Sequence, residues 1–423
     1  MNKDINIAVV GLGQIGSYLV NELINKKKDI EIKTGKKIKL VAISAKNINK
    51  KRKFKINKKI FFKNPLDIIK SKNVDILFEV IGQSDGISKK IVERSLKNKI
   101  HVITPNKALI AKHGDFLSKL AEKNKVNLEF EASVAGGVPI LRTLKEGLAT
   151  NKIKKIYGIL NGTCNYILSE MEKSKQSFSN VLEKAQKLGF AEPGNPKLDL
   201  NGHDAFAKIR ILSSLAFNNK ISKKKCLTEG IENINFKDIE VANQLNFRIK
   251  LLGITELVNK ELFERVHPCL VKKDSYIGNV NGVMNAVITH GNPVGESILQ
   301  GEGAGPGPTS SALMSDLLSI LRGNIKLEDI KIANQLGLRV KLLGISEIIN
   351  GQLFETVHPC LVSKKTYIGN VNGVMNAVIT EGKPVGESVL QGEGAGPGPT
   401  SSSLLSDLLS ILRGSTKYPF GIS

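Results

Sequence analysis

Along the first 135 or so residues, short continuous apolar runs alternate with stretches of helical, 3.6-residue period. Ile5–Val10 has the unbroken apolar character of a strand buried on both faces, and Gly16–Ile24 then takes helical spacing. Lys39–Ser44, Val74–Ile81, His101–Thr104 and Asn127–Glu131 read as further strands, with Ala108–Glu122 as one of the helices between them. Strand and helix in alternation predict a doubly wound parallel sheet of the α/β class over residues 1–142.

The rhythm changes near Ile153. Lys154–Leu160 reads as a strand. The turn Asn161-Gly162 follows it, and Thr163 is the expected cap of a helix running to about Glu172. Ser179–Leu188, stopped by Gly189, and Asp204–Phe217 are the next helices. After them come two hairpins, ITELVNKELFERVHPCLV turning at Asn259-Lys260 and NAVITHGNPVGESILQG turning near Gly291. Residues 143–308 therefore read as an α+β domain with a largely antiparallel sheet. Residues 236–324 recur at 327–415 with a constant offset of 91 and no gaps. YIGNVNGVMNAVIT and LQGEGAGPGPTSS stand identically in both copies, and the other differences are mostly mild, so both are written for one fold. Residues 327–423 are read as the second copy with a short tail. The helix at 309–322, or its copy at 400–413, is expected to pack back on the first domain.

Composition changes this picture little. The 423 residues are 41% hydrophobic and 24% charged, ordinary for a globular protein. No apolar run reaches the roughly 18–20 residues of a membrane span, and the chain enters a strand-like run too early for a signal peptide, so a cytoplasmic protein without a membrane partner is the expectation. The formal charge of +23 raises nucleic-acid binding. Only nine of the 62 basic residues are arginine, and no aromatic-interleaved basic patch appears. Solvated lysine-rich surfaces, with no nucleic-acid partner, are the preferred reading. Cys164, Cys226, Cys269 and Cys360 have no metal-ligand spacing; Cys269 and Cys360, equivalent in the repeat, are expected to be reduced core thiols.

Candidate chemistry begins at Gly11-Leu12-Gly13-Gln14-Ile15-Gly16, a GxGxxG after a buried strand and at the start of a helix. That context marks a Rossmann-like dinucleotide site. Gly11 permits the tight turn, Gly13 lets a pyrophosphate approach the backbone, and Gly16 lets helix pack on strand. The second strand ends Ile43-Ser44-Ala45-Lys46 without the acid that selects NAD, so Ser44 and Lys46 favour the 2′-phosphate of NADP, with NAD the alternative. Thr104 ends another strand and Lys107 stands just beyond its carboxyl end, where ligands of open α/β sheets bind. Glu192, Asp199, Asp204 and Lys208 form a second cluster. Asp204 and Lys208 lie four apart on a helix that is apolar on most sides, so the pair needs buried partners. A buried lysine has a depressed pKa, which suits acid–base work on an alcohol or carbonyl.

These segments together, GLGQIG, TPNKALIAKHG, FEASVAGGVPI, GILNGTCNYIL, AEPGNPKLDLNGHDAFAK and GEGAGP, resemble the homoserine dehydrogenase family in order and spacing across residues 5 to about 324. The resemblance implies reversible hydride transfer between L-homoserine and aspartate 4-semialdehyde with NAD or NADP, in threonine and methionine synthesis. It implies that Lys208 is the proton donor and acceptor at the reacting oxygen and Lys107 its partner near nicotinamide. Glu192, Asp199 and Asp204 would hold the substrate amine and orient the lysine, Gly162 and Thr163 would contact substrate, and Gly303 and Gly305 would touch the cofactor. It also implies a Na+ or K+ site on the backbone carbonyls of Glu131, Val134, Gly136 and Val138, and a homodimer or homotetramer built through the hairpin region. Family members often continue past a KYPFGI linker into a small regulatory domain. Here LLSILRGN runs instead into the second copy and KYPFGIS stands at 417–423, so threonine feedback through such a domain is not expected. A nucleotide-binding scaffold disabled by the duplication, and a reductase of a related semialdehyde, are the competing readings.

Overall fold

The computed structural model describes residues 4–393, apart from 51, 53, 55, 72, 194, 195, 260, 323–326, 350, 351, 374 and 383–385. The chain divides into two compact units, the first ending at Arg322.

Unit 1 begins with β1 (Ile5–Val10), α1 (Gln14–Asn25), α2 (Lys27–Thr34), β2 (Ile38–Ser44), β3 (Phe61–Phe62), α3 (Leu66–Ser71), β4 (Ile76–Glu79), α4 (Ile87–Lys97), β5 (His101–Ile103), α5 (Lys107–Asn124) and β6 (Leu128–Glu129). The six strands form a parallel sheet in the order β3-β2-β1-β4-β5-β6, the expected doubly wound arrangement. The unbroken apolar run of β1 is explained by burial on both faces. Ile7 and Val9 pack in one cluster with Leu19 and Val20 of α1, while Ala8 and Val10 join a second cluster with Ile91 of α4 and Leu109 of α5. Each such side chain contributes about 1.5–3 kcal/mol. Asn127–Glu131 is a shorter strand than its sequence suggests, because the chain folds into a 3-10 turn at Glu131–Ser133. The lysine-rich α2 was not legible, since Ile30 is its one buried residue.

There follow α6 (Ile140–Arg142), β7 (Lys152–Ile159), α7 (Gly162–Ser174), α8 (Phe178–Lys187), α9 (Lys197–Leu200), α10 (His203–Ala216), α11 (Phe236–Gln244), β8 (Phe247–Val258), β9 (Glu261–Lys272), β10 (Met284–Asn292), β11 (Gly295–Glu302) and α12 (Pro306–Arg322). Their strands make one five-stranded antiparallel sheet, β11-β10-β7-β8-β9. Its central strand, β7, joins two hairpins that both come from the first copy of the repeat. The first copy also supplies α12, whose Leu313 and Leu317 pack against α1 in the core of the parallel sheet. The alternative helix at 400–413 lies outside the described residues.

Two local expectations are corrected. The cap of α7 is Asn161, which accepts from Cys164 N, because Thr163 already lies inside the helix and donates to Phe190 O. Cys269 and Cys360 are half-buried rather than core residues, since they lie on the second strand of a hairpin at the edge of its sheet.

Unit 2 holds α13 (Leu327–Gln335), β12 (Leu338–Ile349), β13 (Gln352–Ser363), α14 (Tyr367–Asn370), β14 (Met375–Gly382) and β15 (Gly386–Glu393). Its hairpins repeat those of the first copy in register, as two separate two-stranded sheets.

Candidate active site

The glycine turn is shaped by contacts that exclude a side chain. A Cβ on Gly11, whose φ is +100°, would lie 2.4 Å from the Val80 carbonyl oxygen, and one on Gly16 would lie 1.9 Å from that of Gly11. Gly13 meets nothing within 4 Å, so its backbone faces open space. α1 starts at Gln14 directly after this turn, with Gly13 as its cap and no side-chain capping bond, and the first amides of a helix lack intrahelical partners. That space is a cavity of about 1000 Å³, lined by Gly11–Gly13, Ser44, Lys46, Lys50, Arg52 and Lys63 among others. An open backbone at Gly13, a helix N-terminus and a cationic rim fit a dinucleotide. Arg52 was not singled out in the sequence. Its guanidinium donates to Asn47 O at 2.8 Å and Lys50 O at 2.8 Å, which braces the loop that carries Lys46. No helix among the described residues is long and apolar enough to cross a membrane.

Lys107 opens α5, and a buried network fixes that opening. Glu79, fully buried at the end of β4, accepts from Thr104 Oγ1 at 2.7 Å and from Asn106 Nδ2 at 3.2 Å. Asn106 in turn caps α5 by accepting from Leu109 N. Lys107 thereby reaches across to α10, where its Nζ lies 2.5 Å from Asp204 Oδ1. The other oxygen of Asp204 accepts from Lys208 Nζ at 2.9 Å and from Asn161 Nδ2 at 2.8 Å. Asn161 Nδ2 also donates to Asp199 Oδ1 at 2.8 Å, and Lys208 Nζ donates to Leu160 O at 2.6 Å. Two lysines from different elements thus share one carboxylate. Lys208 is buried, whereas the Lys107 side chain is 43% exposed at the mouth of the site.

Electrostatics separates the two lysines. Burial pulls the Lys208 ammonium below the usual lysine range; Asp204 opposes this and the charge of Lys107 adds to it. Burial also pulls on Lys107, but Asp204, Asp199 and Glu192 outweigh it and hold its pKa up. Asp204 is buried, which favours its neutral form, yet the two ammonium groups keep its carboxyl well below the carboxylate range. Asp199 is pushed up by burial and by Asp204. At neutral pH the set is therefore an ionised Asp204, a charged Lys107 and the more readily deprotonated Lys208.

Other expected residues fall around this cluster. Glu192 contributes to the field at Lys107, and its backbone carbonyl accepts from Gln186. Gly162 packs under the Val283 carbonyl, where a Cβ would come within 2.5 Å. Gly303 is crowded by the Asn285 side chain, and Gly305 has φ +107°. The turn at Glu131–Val138 abuts that loop: Gly137 N donates to Glu302 O at 2.9 Å, and a Cβ on Gly136 would meet the Gly303 carbonyl. The carbonyls of Glu131 and Val138 already accept from Val134 N and Ile140 N. Asn161 and Glu79 escaped the sequence reading. A capping Asn ahead of a helix was the available signal for the first; the second had none.

The chain is similar to characterised proteins in both halves. The family model for the NAD-binding domain of homoserine dehydrogenase matches residues 11–131, and that for homoserine dehydrogenase matches 139–318 and again 319–409. The homoserine dehydrogenase of Neisseria gonorrhoeae is 41% identical over 320 residues, which is 76% of this chain and 73% of that one. The structure of a homoserine dehydrogenase from Thiobacillus denitrificans superposes with a TM-score of 0.71 at 30% identity, covering 87% of this chain and 94% of that one. A hyperthermophilic archaeal homoserine dehydrogenase in complex with NADPH shares the fold, with a TM-score of 0.63 at 24% identity over 76% of this chain and 99% of that one. A parallel sheet with a glycine-rich phosphate turn, an antiparallel second sheet and these matches lead to one conclusion: the chain belongs to the homoserine dehydrogenase family, nicotinamide-dependent oxidoreductases that act on a CH–OH group.

Proposed function

We propose that Lys208 is the group that exchanges a proton with the reacting oxygen as L-homoserine and L-aspartate 4-semialdehyde interconvert. The observation that carries this reading is the Asp204 carboxylate shared between buried Lys208 and accessible Lys107. A nicotinamide cofactor held at the glycine turn would supply the hydride acceptor for the hydroxyl-bearing carbon and the hydride donor for the aldehyde. In the oxidative direction neutral Lys208 removes the hydroxyl proton; in the reverse direction its ammonium delivers it. Asp204 holds both lysines in place, and charged Lys107 at the mouth stabilises negative charge on the substrate oxygen or carboxylate. Asp199 and Glu192 supply negative charge for the substrate amine, and Gly162 and Thr163 form the adjoining wall.

NADP is the proposed cofactor. Lys46 at the end of β2, with Lys50, Arg52 and Lys63 on the same rim, supports a 2′-phosphate, and no acid follows Ser44 to hold a ribose hydroxyl. Gly303 and Gly305 lie on the loop proposed to touch the cofactor. A Na+ or K+ ion on the carbonyls of Glu131, Val134, Gly136 and Val138 and a cytoplasmic homodimer through the antiparallel sheet complete the reading. So does a division into a cofactor domain (1–142), a catalytic domain (143–308) and the second copy (327–423).

The test is oxidation of NADPH or NADH with aspartate semialdehyde, on the wild type and on Lys208→Met. Loss of positioned acid–base catalysis costs about 10²–10⁴-fold in kcat, with cofactor affinity retained. Turnover that survives the substitution would remove Lys208 from this role. Cofactor binding without turnover in the wild type would favour the scaffold reading.

A further inference from the structure

At the start of β10 the chain buries a polar group and leaves it unpaired. Asn285 is 1% exposed, and among the described residues neither its Oδ1 nor its Nδ2 has a hydrogen-bond partner. A buried amide costs stability when both its ends are unpaired, so this one calls for a partner. The residue itself is firmly placed. It pairs with Gly301 on β11, and Asn165 Nδ2 of α7 donates to the preceding carbonyl, Met284 O, at 3.2 Å.

What covers the amide is glycine. A Cβ on Gly303 would lie 2.1 Å from both Cγ and Nδ2 of Asn285, so the flat face of the amide rests on that backbone; one on Gly162 would lie 3.4 Å from Oδ1. Gly162 opens α7 directly after Asn161, which bonds both Asp199 and Asp204. Gly303 opens the loop to Gly305, where Ala304 and Gly305 are exposed and α12 follows. Asn285 thus lies at the seam between the lysine–carboxylate cluster and that loop, and its amide makes no hydrogen bond that would hold the loop down.

We propose that Asn285 recognises the carboxamide of the nicotinamide once the Gly303–Gly305 loop lifts from it; the inference rests on the cofactor reading above. The amide presents an acceptor and a donor side by side, so it is fully paired by a group that offers both. The homoserine carboxylate and the cofactor phosphates only accept, the homoserine ammonium only donates, and the hydroxyl is committed to Lys208. The adenine edge offers both but belongs at the Lys46 rim. A primary carboxamide carries a carbonyl and an NH2 and pairs with Asn285 at both ends. Glycine at 303 and 305 suits a segment that changes its backbone angles, and Gly305 already stands at φ +107°. The second copy supplies a control: its equivalent residue, Asn376, is exposed, and the repeated segment contains no counterpart of Gly162.

The experiment compares the full-length wild type, Asn285→Leu and Asn376→Leu, first by melting temperature without ligand. Leucine has the shape of asparagine without its polar atoms. Titration calorimetry without substrate then gives Kd for NADP+ and for its acetylpyridine analogue, in which a methyl replaces the carboxamide NH2; the NAD+ pair is run alongside. The wild type should bind the carboxamide form about tenfold more tightly, as one lost hydrogen bond dictates. Asn285→Leu should melt no lower than the wild type and lose that preference, and Asn376→Leu should keep it. A preference that survives Asn285→Leu overturns the proposal. Equal weakening of both ligands overturns it too: the amide is then a structural brace if the variant melts lower, or a ribose contact if it does not. Where leucine is too bulky beside Gly303 for the chain to fold, Asn285→Ala decides by the same ratio. A wild type that binds neither ligand refutes the cofactor reading and this proposal with it, whereas turnover that survives Lys208→Met leaves the binding test untouched.

Discussion

At the scale of residues, the site turns on Asp204. Among the described residues its carboxylate pairs with both lysines, so it bears on how readily Lys208 gives up its proton. Because burial holds the Lys208 pKa below the usual lysine value, homoserine oxidation should gain activity as pH rises through that lowered pKa. Asp204 raises the Lys208 pKa, so Asp204→Asn should move the break to lower pH while reducing kcat. A pH–rate profile of both proteins decides this; a break that stays in place or moves up would detach Lys208 from the titration. Lys107, Asp204 and Lys208 were legible because charge at i and i+4 on an apolar helix, or just past a strand end, stands out in one dimension. Asn161 and Glu79 were not, because their meaning lies in partners distant in sequence: Asn161 bonds Asp199 and Asp204, and Glu79 holds Thr104 and Asn106. Carbonyl ligands carry no side-chain signature at all, so a cation site at Glu131–Val138 is proposed from resemblance alone.

At the scale of elements, α12 ties the repeat to the cofactor sheet. Asp316, buried on that helix, accepts from Glu131 N at 3.0 Å and pairs with Arg142 at 3.3 Å. Burial, then the charges of Glu129 and Glu131, push its carboxyl up to about 8 against the pull of that N–H and of Arg142. The folded chain therefore binds this proton more tightly than the unfolded chain, whose aspartates titrate near about 3.9. Its stabilising contribution is complete below that pH and is lost as pH rises through about 8. Asp316→Asn should flatten this dependence. Between pH 5 and 9 the melting temperature of the wild type should fall by a few degrees more than that of the variant, as read by calorimetry. Parallel curves would show that Asp316 stays ionised throughout. From the sequence, a helix at 309–322 or its copy at 400–413 was expected to pack back on the first domain, which left open which copy would dock. The docked helix carries Leu313 and Leu317 from the first copy.

At the scale of the whole molecule, the offset of 91 was plain, and it correctly implied that both copies form the same hairpins. The insertion of β7 between β8 and β10 was not legible. It joins segments up to about 140 residues apart, and nothing local announces such a pairing. Unit 1 holds the complete lysine–carboxylate cluster, so excision of Asn324–Gly414 should leave kcat and KM unchanged in a steady-state assay. Loss of activity would show that unit 2 contributes to the site.

One β7 and two sets of matching hairpins also make the order of events matter. On the ribosome, β7 and the first copy emerge before the second copy exists. At about 5–20 residues per second a 91-residue lag gives the first copy a head start of seconds. A chain diluted from denaturant has no such clock, because both copies meet β7 at once. Freshly synthesised protein should therefore be uniformly active, and refolded protein should regain only part of its activity, whereas the chain lacking one period should regain nearly all of it.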